Sequence, residues 1–160
     1  MSPEQFKGLR QGLGLDTAAC ARRLKVAEPD LLGWEAAGRE IPEAAARELA
    51  RLDGMVETAV LAEVDAYTLR PERDVVLLRI MSDADLALYE PDLFDDLGGS
   101  ALHGVVIERA KEAIERLGGK VTVAFMNSEF YETWLGVNDF DDNRELRIAW
   151  ARQQLRGLDI

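Results

Sequence analysis

Few side chains in this chain have the type and spacing that reaction chemistry requires. There is one cysteine, Cys20, and one histidine, His103. An internal disulfide and a zinc-type ligand set are therefore excluded. His103 has no cysteine partner or serine nucleophile pattern near it and reads as a surface or interface residue. The run Asn138-Asp139-Phe140-Asp141-Asp142-Asn143 has the carboxylates of a calcium loop. Arg144 stands where that loop needs glycine for its sharp turn, however, and Trp150 where it needs a bidentate glutamate. Asp92, Asp95 and Asp96 read as a solvated acidic loop. With no set of nucleophile, base and orienting group, neither an enzyme nor a cofactor or metal is expected. What remains are groups that bind: Thr17, Arg22, Arg23, Lys25 and Arg39, the run Glu28-Pro29-Asp30-Leu31-Leu32-Gly33, and the pair Arg10 and Glu35.

The elements that must position these groups follow from periodicity. Phe6, Leu9 and Leu13 form one helical stripe, ended by Gly12 or Gly14. Asp16 can cap a second helix that turns Ala21 and Leu24 inward. After the turn at Val26-Ala27, a third helix runs from Glu28 to about Ala37 with Leu31 and Trp34 buried and Gly38 in the stop position. Pro42 opens a fourth, with Ala46, Leu49 and Leu52 inward. Asp53-Gly54 marks the expected domain boundary, followed by a separate helix from Met55 to Leu69.

Beyond it, V-V-L-L-R-I within Arg73–Met81 predicts a buried strand, and Ser82 a helix cap. Residues 102–117 predict a strongly amphipathic helix, and K-V-T-V-A-F-M from Lys120 a second strand. Asn127 or Ser128 caps a helix carrying Tyr131, Trp134 and Leu135. Asp141 or Asp142 caps a last one carrying Leu146, Ile148, Trp150 and Leu155. Tyr131, Trp134 and Trp150 are expected to pack a core or an interface. The two strands, joined by helices, predict a parallel or mixed pair, and a second subunit is expected to complete so small a sheet.

Charge bears on the partner. The chain carries a net −11. Residues 1–53 hold eight basic and nine acidic groups, a net of −1, so −10 lies in the remainder. Acidity of that order disfavours nucleic acid as a partner of the C-terminal part and leaves the N-terminal part nearly neutral. No apolar run reaches membrane-span length and no signal peptide opens the chain, so a cytoplasmic location is expected.

The order from Leu15 to Pro42, two short amphipathic segments followed by Trp34-Glu35, a glycine and a proline, resembles the lambda-repressor-like (Xre) helix-turn-helix over residues 5–53. The spacing W-E-x-x-G-R-x-x-P, a helix, V-L-L-R and then D-x-x-x-Y-x-P resembles, over residues 5–115, the YdiL-like regulators and the anti-CRISPR-associated repressors. The resemblance implies a third helix that enters the major groove and an ion pair between Arg10 and Glu35. It implies phosphate contacts from Thr17, Arg22 and Arg39, and base contacts from Glu28, Pro29, Asp30, Leu32 and Gly33. The last set departs from the family, because carboxylates read bases poorly: they can accept only from the cytosine amine. Glu28 and Asp30 also read as first-turn acids that stabilise a helix left without a capping side chain at Ala27.

The expectation is a mainly α chain with a small α/β part: residues 1–54 a helix-turn-helix bundle, residues 55–160 an α/β dimerisation domain that can also take an effector or protein partner. Its function would be sequence-specific binding of double-stranded operator DNA as a homodimer, in transcription regulation. The alternative is a protein-binding module that kept the scaffold and lost its DNA.

Overall fold

The computed structural model describes residues 1–158. It is mainly helical, with one small parallel sheet. In chain order the elements are α1 (Pro3–Gly12), α2 (Thr17–Leu24), α3 (Glu28–Glu35), α4 (Glu43–Leu69), β1 (Asp74–Arg79), α5 (Asp83–Tyr89), α6 (Pro91–Leu97), α7 (Ser100–Arg116), β2 (Lys120–Phe125), α8 (Ser128–Asn138) and α9 (Arg144–Leu158). Two compact units divide the chain, Met1–Thr58 and Ala59–Ile160. No helix among the described residues is long and apolar enough to cross a membrane.

In the first unit the local chemistry sets each helix. Ser2 accepts from the Gln5 amide while the Gln5 side chain accepts from the Ser2 amide, a reciprocal cap that starts α1 ahead of Pro3. Asp16 accepts from the Ala19 amide at 2.6 Å and starts α2. No side chain caps α3, whose first turn instead holds Glu28 and Asp30 against the positive end of the helix dipole. Phe6, Leu13, Cys20, Leu31 and Leu49 fill the core, and the Phe6 and Trp34 rings meet edge to face at 5.8 Å.

Three expectations need correction here. Gly38 does not stop α3: Ala37 takes the left-handed position, with φ +58, while the Gly38 amide donates to the Gly33 carbonyl at 2.9 Å. On α4, Ala45 faces inward in place of Ala46, which is half-buried. Finally, Asp53-Gly54 breaks nothing. One helix runs through it, and the division between units falls after Thr58, inside α4. The reason is the continuous buried stripe Ala45, Leu49, Leu52, Val56 and Val60. A mid-helix glycine costs only about 1 kcal/mol relative to alanine, less than burying one of those side chains gains.

In the second unit β1 and β2 pair in parallel, from Asp74 opposite Lys120 to Arg79 opposite Phe125, with α5, α6 and α7 as the crossover. Leu78, Ile80, Leu86, Tyr89, Ala124, Met126, Tyr131, Leu135, Trp150 and Ala151 make a buried cluster against which Trp134 also packs. Arg147 is buried within a polar group: it donates to Asp142 at 2.6 Å and Glu90 at 3.0 Å and lies 5.7 Å from the Tyr89 ring centre. The Tyr131 hydroxyl donates to Asp142, and the Tyr89 hydroxyl to Glu132, both at 2.6 Å. Burial and these carboxylates push both hydroxyls above the usual tyrosine range.

Ser82 and Asn127 cap α5 and α8. The segment read as an acidic loop is largely helix α6. Pro91 suits a first helical turn, Leu93, Phe94 and Leu97 turn inward, and Asp92, Asp95 and Asp96 lie on the exposed side. The start of α9 is held by Asn143, which accepts from the Leu146 amide at 2.9 Å, in place of Asp141 or Asp142. His103 is buried, at 5% exposure, because it continues the inward stripe Ile107, Ala110 and Ile114 of α7.

Candidate nucleic-acid interface

Arg10, near the end of α1, is almost fully buried and donates to both oxygens of Glu35, at 2.5 and 3.0 Å. Its third bond goes to the Leu15 carbonyl at 2.8 Å, just ahead of the Asp16 cap. This fork ties α1 to the end of α3 and to the loop that opens α2, and the hydrogen bond to Glu35 raises the affinity of the guanidinium for its proton. The neighbouring Cys20 thiol is pushed up to about 11, chiefly by burial, and is inert as a nucleophile.

The candidate contact residues fall into two small networks on the solvent side of α2 and α3. Thr17, the first residue of α2, donates to Glu28, the first residue of α3, at 2.5 Å. The starts of the two helices thus lie within one hydrogen bond of each other. Arg39 pairs with Asp30, both exposed. The Arg39 side chain runs over Gly33, where an added Cβ would sit 3.3 Å from the arginine Cδ, so Gly33 serves here to let Arg39 lie flat. Pro29 is exposed, and Leu32 is exposed by 48%. Arg22 is exposed on α2 and makes no ion pair among the described residues.

Arg23 and Lys25 turn their charge toward α4. The Glu48 carboxyl is held below the usual carboxylate range first by its hydrogen bond from Arg51, with Arg51, Arg23 and Lys25 adding attraction. Lys25 ends α2 in the left-handed conformation, φ 56, a role that its place after Leu24 did not announce.

Over residues 3–155 the chain matches the family described as Domain of unknown function (DUF4447). It belongs to that family. No curated protein matches it.

This DUF4447 chain therefore presents, along α2 and α3, two adjacent helix starts, two carboxylates already engaged by a hydroxyl and a guanidinium, Arg22 in the last turn of α2 with no ion pair among the described residues, and the exposed Leu32. Such a surface can hold an anion or a polar partner.

Proposed function

We propose that the chain is a sequence-specific DNA-binding transcriptional regulator of the cytoplasm. In this reading it acts as a homodimer through a lambda-repressor-like helix-turn-helix formed by α2 and α3, with the second unit as the dimerisation domain. The observation that supports it best is the Thr17–Glu28 hydrogen bond, which sets two helix starts side by side. Amides at a helix start attract phosphate, and two such ends at one edge suit consecutive phosphates of a backbone. Arg22 adds charge. Arg39 is available too: an exposed ion pair such as that with Asp30 is worth about 0 to 1 kcal/mol and yields readily to a phosphate. Leu32 would meet a thymine methyl, and Glu28 would accept from a cytosine amine. Two copies would place α3 in successive major grooves about 34 to 36 Å apart.

A second reading has its own observation. Asp30 and Glu28 are already satisfied within the protein, and the groups of α3 left to a partner are the apolar Pro29 and Leu32. That composition suits a protein surface better than a duplex, as in a scaffold that has lost DNA.

Fluorescence anisotropy of the full chain on a mixed-sequence duplex at 50 and 200 mM salt separates them. With Arg22 and Arg39 of two subunits engaging about four phosphates, the log–log salt slope is about −3.6 and affinity falls roughly a hundredfold. No binding at the lower salt rejects the DNA reading and favours the second. A monomer by mass in solution rejects the paired half-site.

A further inference from the structure

A cavity within the second unit has a volume of about 440 Å³. That lies within the span of about 300 to 1,000 Å³ of sites for small organic ligands. Its apolar lining comes from Tyr67 at the end of α4, Val75 and Leu77 of β1, Ile114 of α7 and Ile148 of α9. Gly119 keeps one wall in place: an added Cβ there would come within 3.2 Å of the Tyr67 ring and 2.6 Å of Ile114. The rim is charged and carries Glu63, Arg70, Glu72, Arg144, Glu145 and Arg152. Arg144 pairs with Glu63, and Arg152 with Glu72. Glu145 lies in the first turn of α9, where the positive helix end offsets its charge. Arg70 is exposed and has no carboxylate within ion-pair distance among the described residues.

We propose that this cavity is a binding site for a small monocarboxylate with an apolar body. The apolar body lies on Tyr67, Val75, Leu77, Ile114 and Ile148, and the carboxylate is held by Arg70, the rim cation without an ion pair among the described residues. A neutral ligand of the same shape leaves the guanidinium unpaired. An ammonium ligand is repelled by it and finds Glu63 and Glu72 already engaged. The site was hidden in the sequence although its spacing was present. Glu63 and Tyr67 lie at i and i+4 of α4, with Arg70 the residue just past its end, and Arg144, Ile148 and Arg152 lie at i, i+4 and i+8 of α9, so each helical set shares one face.

Titration calorimetry of the full chain with hexanoate, hexan-1-ol and hexylammonium tests the proposal. The expected result is one hexanoate per chain, bound about tenfold or more tighter than hexan-1-ol, the increment of one charge-assisted hydrogen bond, with no binding of hexylammonium. Arg70→Ala, a surface change that leaves the core intact, lowers hexanoate to the affinity of the alcohol and does not alter the alcohol itself. Ile148→Trp fills the cavity and removes both. Equal affinity for acid and alcohol, an unchanged hexanoate affinity in Arg70→Ala, or no binding of any of the three overturns it.

Discussion

Removing Glu35 tests whether the first unit is held as its geometry implies. The Arg10 and Glu35 side chains are only 8% and 9% exposed. Glu35→Ala leaves a buried guanidinium with the Leu15 carbonyl as its one remaining partner. Breaking one side of a buried pair costs about 3 to 5 kcal/mol, since the surviving charge stays desolvated. For the unit Met1–Thr58, stability at the usual 0.05 to 0.15 kcal/mol per residue is about 3 to 9 kcal/mol. The substitution therefore takes between a third and all of it. Hydrogen exchange of the full chain reads this unit by unit. Amides of α1 and α3 should exchange on the order of a hundredfold faster or more, while those of α5 to α9 stay as they were. The double variant Arg10→Met with Glu35→Leu replaces the ion pair by apolar packing and should recover most of the loss. The reasoning fails if Glu35→Ala costs less than about 1 kcal/mol, or if the double variant is no better than the single one.

Three further outcomes are expected. Asp30→Asn releases Arg39 and removes a charge facing the phosphates, so duplex affinity should rise by about tenfold for the two subunits together, at up to about 1 kcal/mol in stability of the first unit; anisotropy showing equal or weaker binding would count against the DNA reading. Ala37→Gly relieves a left-handed alanine and should stabilise the chain by about 0.5 to 1 kcal/mol in urea unfolding, with a loss of stability as the contrary result. Burial first, and Arg79 second, hold His103 down to about 4 from 6.5, while its Nδ1 accepts from the Ile80 amide at 3.3 Å. As pH falls below 6.5 the unfolded chain takes up a proton that the folded chain refuses. Stability is then full above about pH 6.5 and declines toward pH 4, by roughly 2 kcal/mol between pH 7 and pH 5. Urea unfolding at both pH values should show that difference shrink in His103→Gln, and an equal difference would refute the assignment.

What could be read from the sequence was local and periodic. Asp16 and Ser82 announce helix starts, and the pair Asn127-Ser128 narrows a third to two residues, because a cap acts within one turn, and Phe6, Leu31 and Trp34 announce a core because their spacing matches a helix face. What could not be read depended on a sum along the chain or on distant partners. Gly54 looks like a stop until the stripe on both sides is counted, and Pro91 conceals α6 because the proline that suits a first helical turn also breaks the helix before it. In the candidate site, residue types suggested which side chains share a surface. They could not show that Glu28 takes the Thr17 hydroxyl or that Arg39 crosses Gly33 to Asp30. The Arg147 network with Glu90 and Asp142 was likewise out of reach, because only the tertiary fold brings α9 to the end of α5.

The parallel pairing of β1 with β2 also has a consequence for biosynthesis. Val75-Val76-Leu77-Leu78 leaves the ribosome long before Lys120 begins the strand it pairs with, so at ordinary rates of translation its backbone stays unmatched for on the order of seconds. An apolar, β-branched stretch in that condition is prone to associate with its like. Arg73 and Asp74 on one side and Arg79 on the other flank it with charge and act as gatekeepers during that interval.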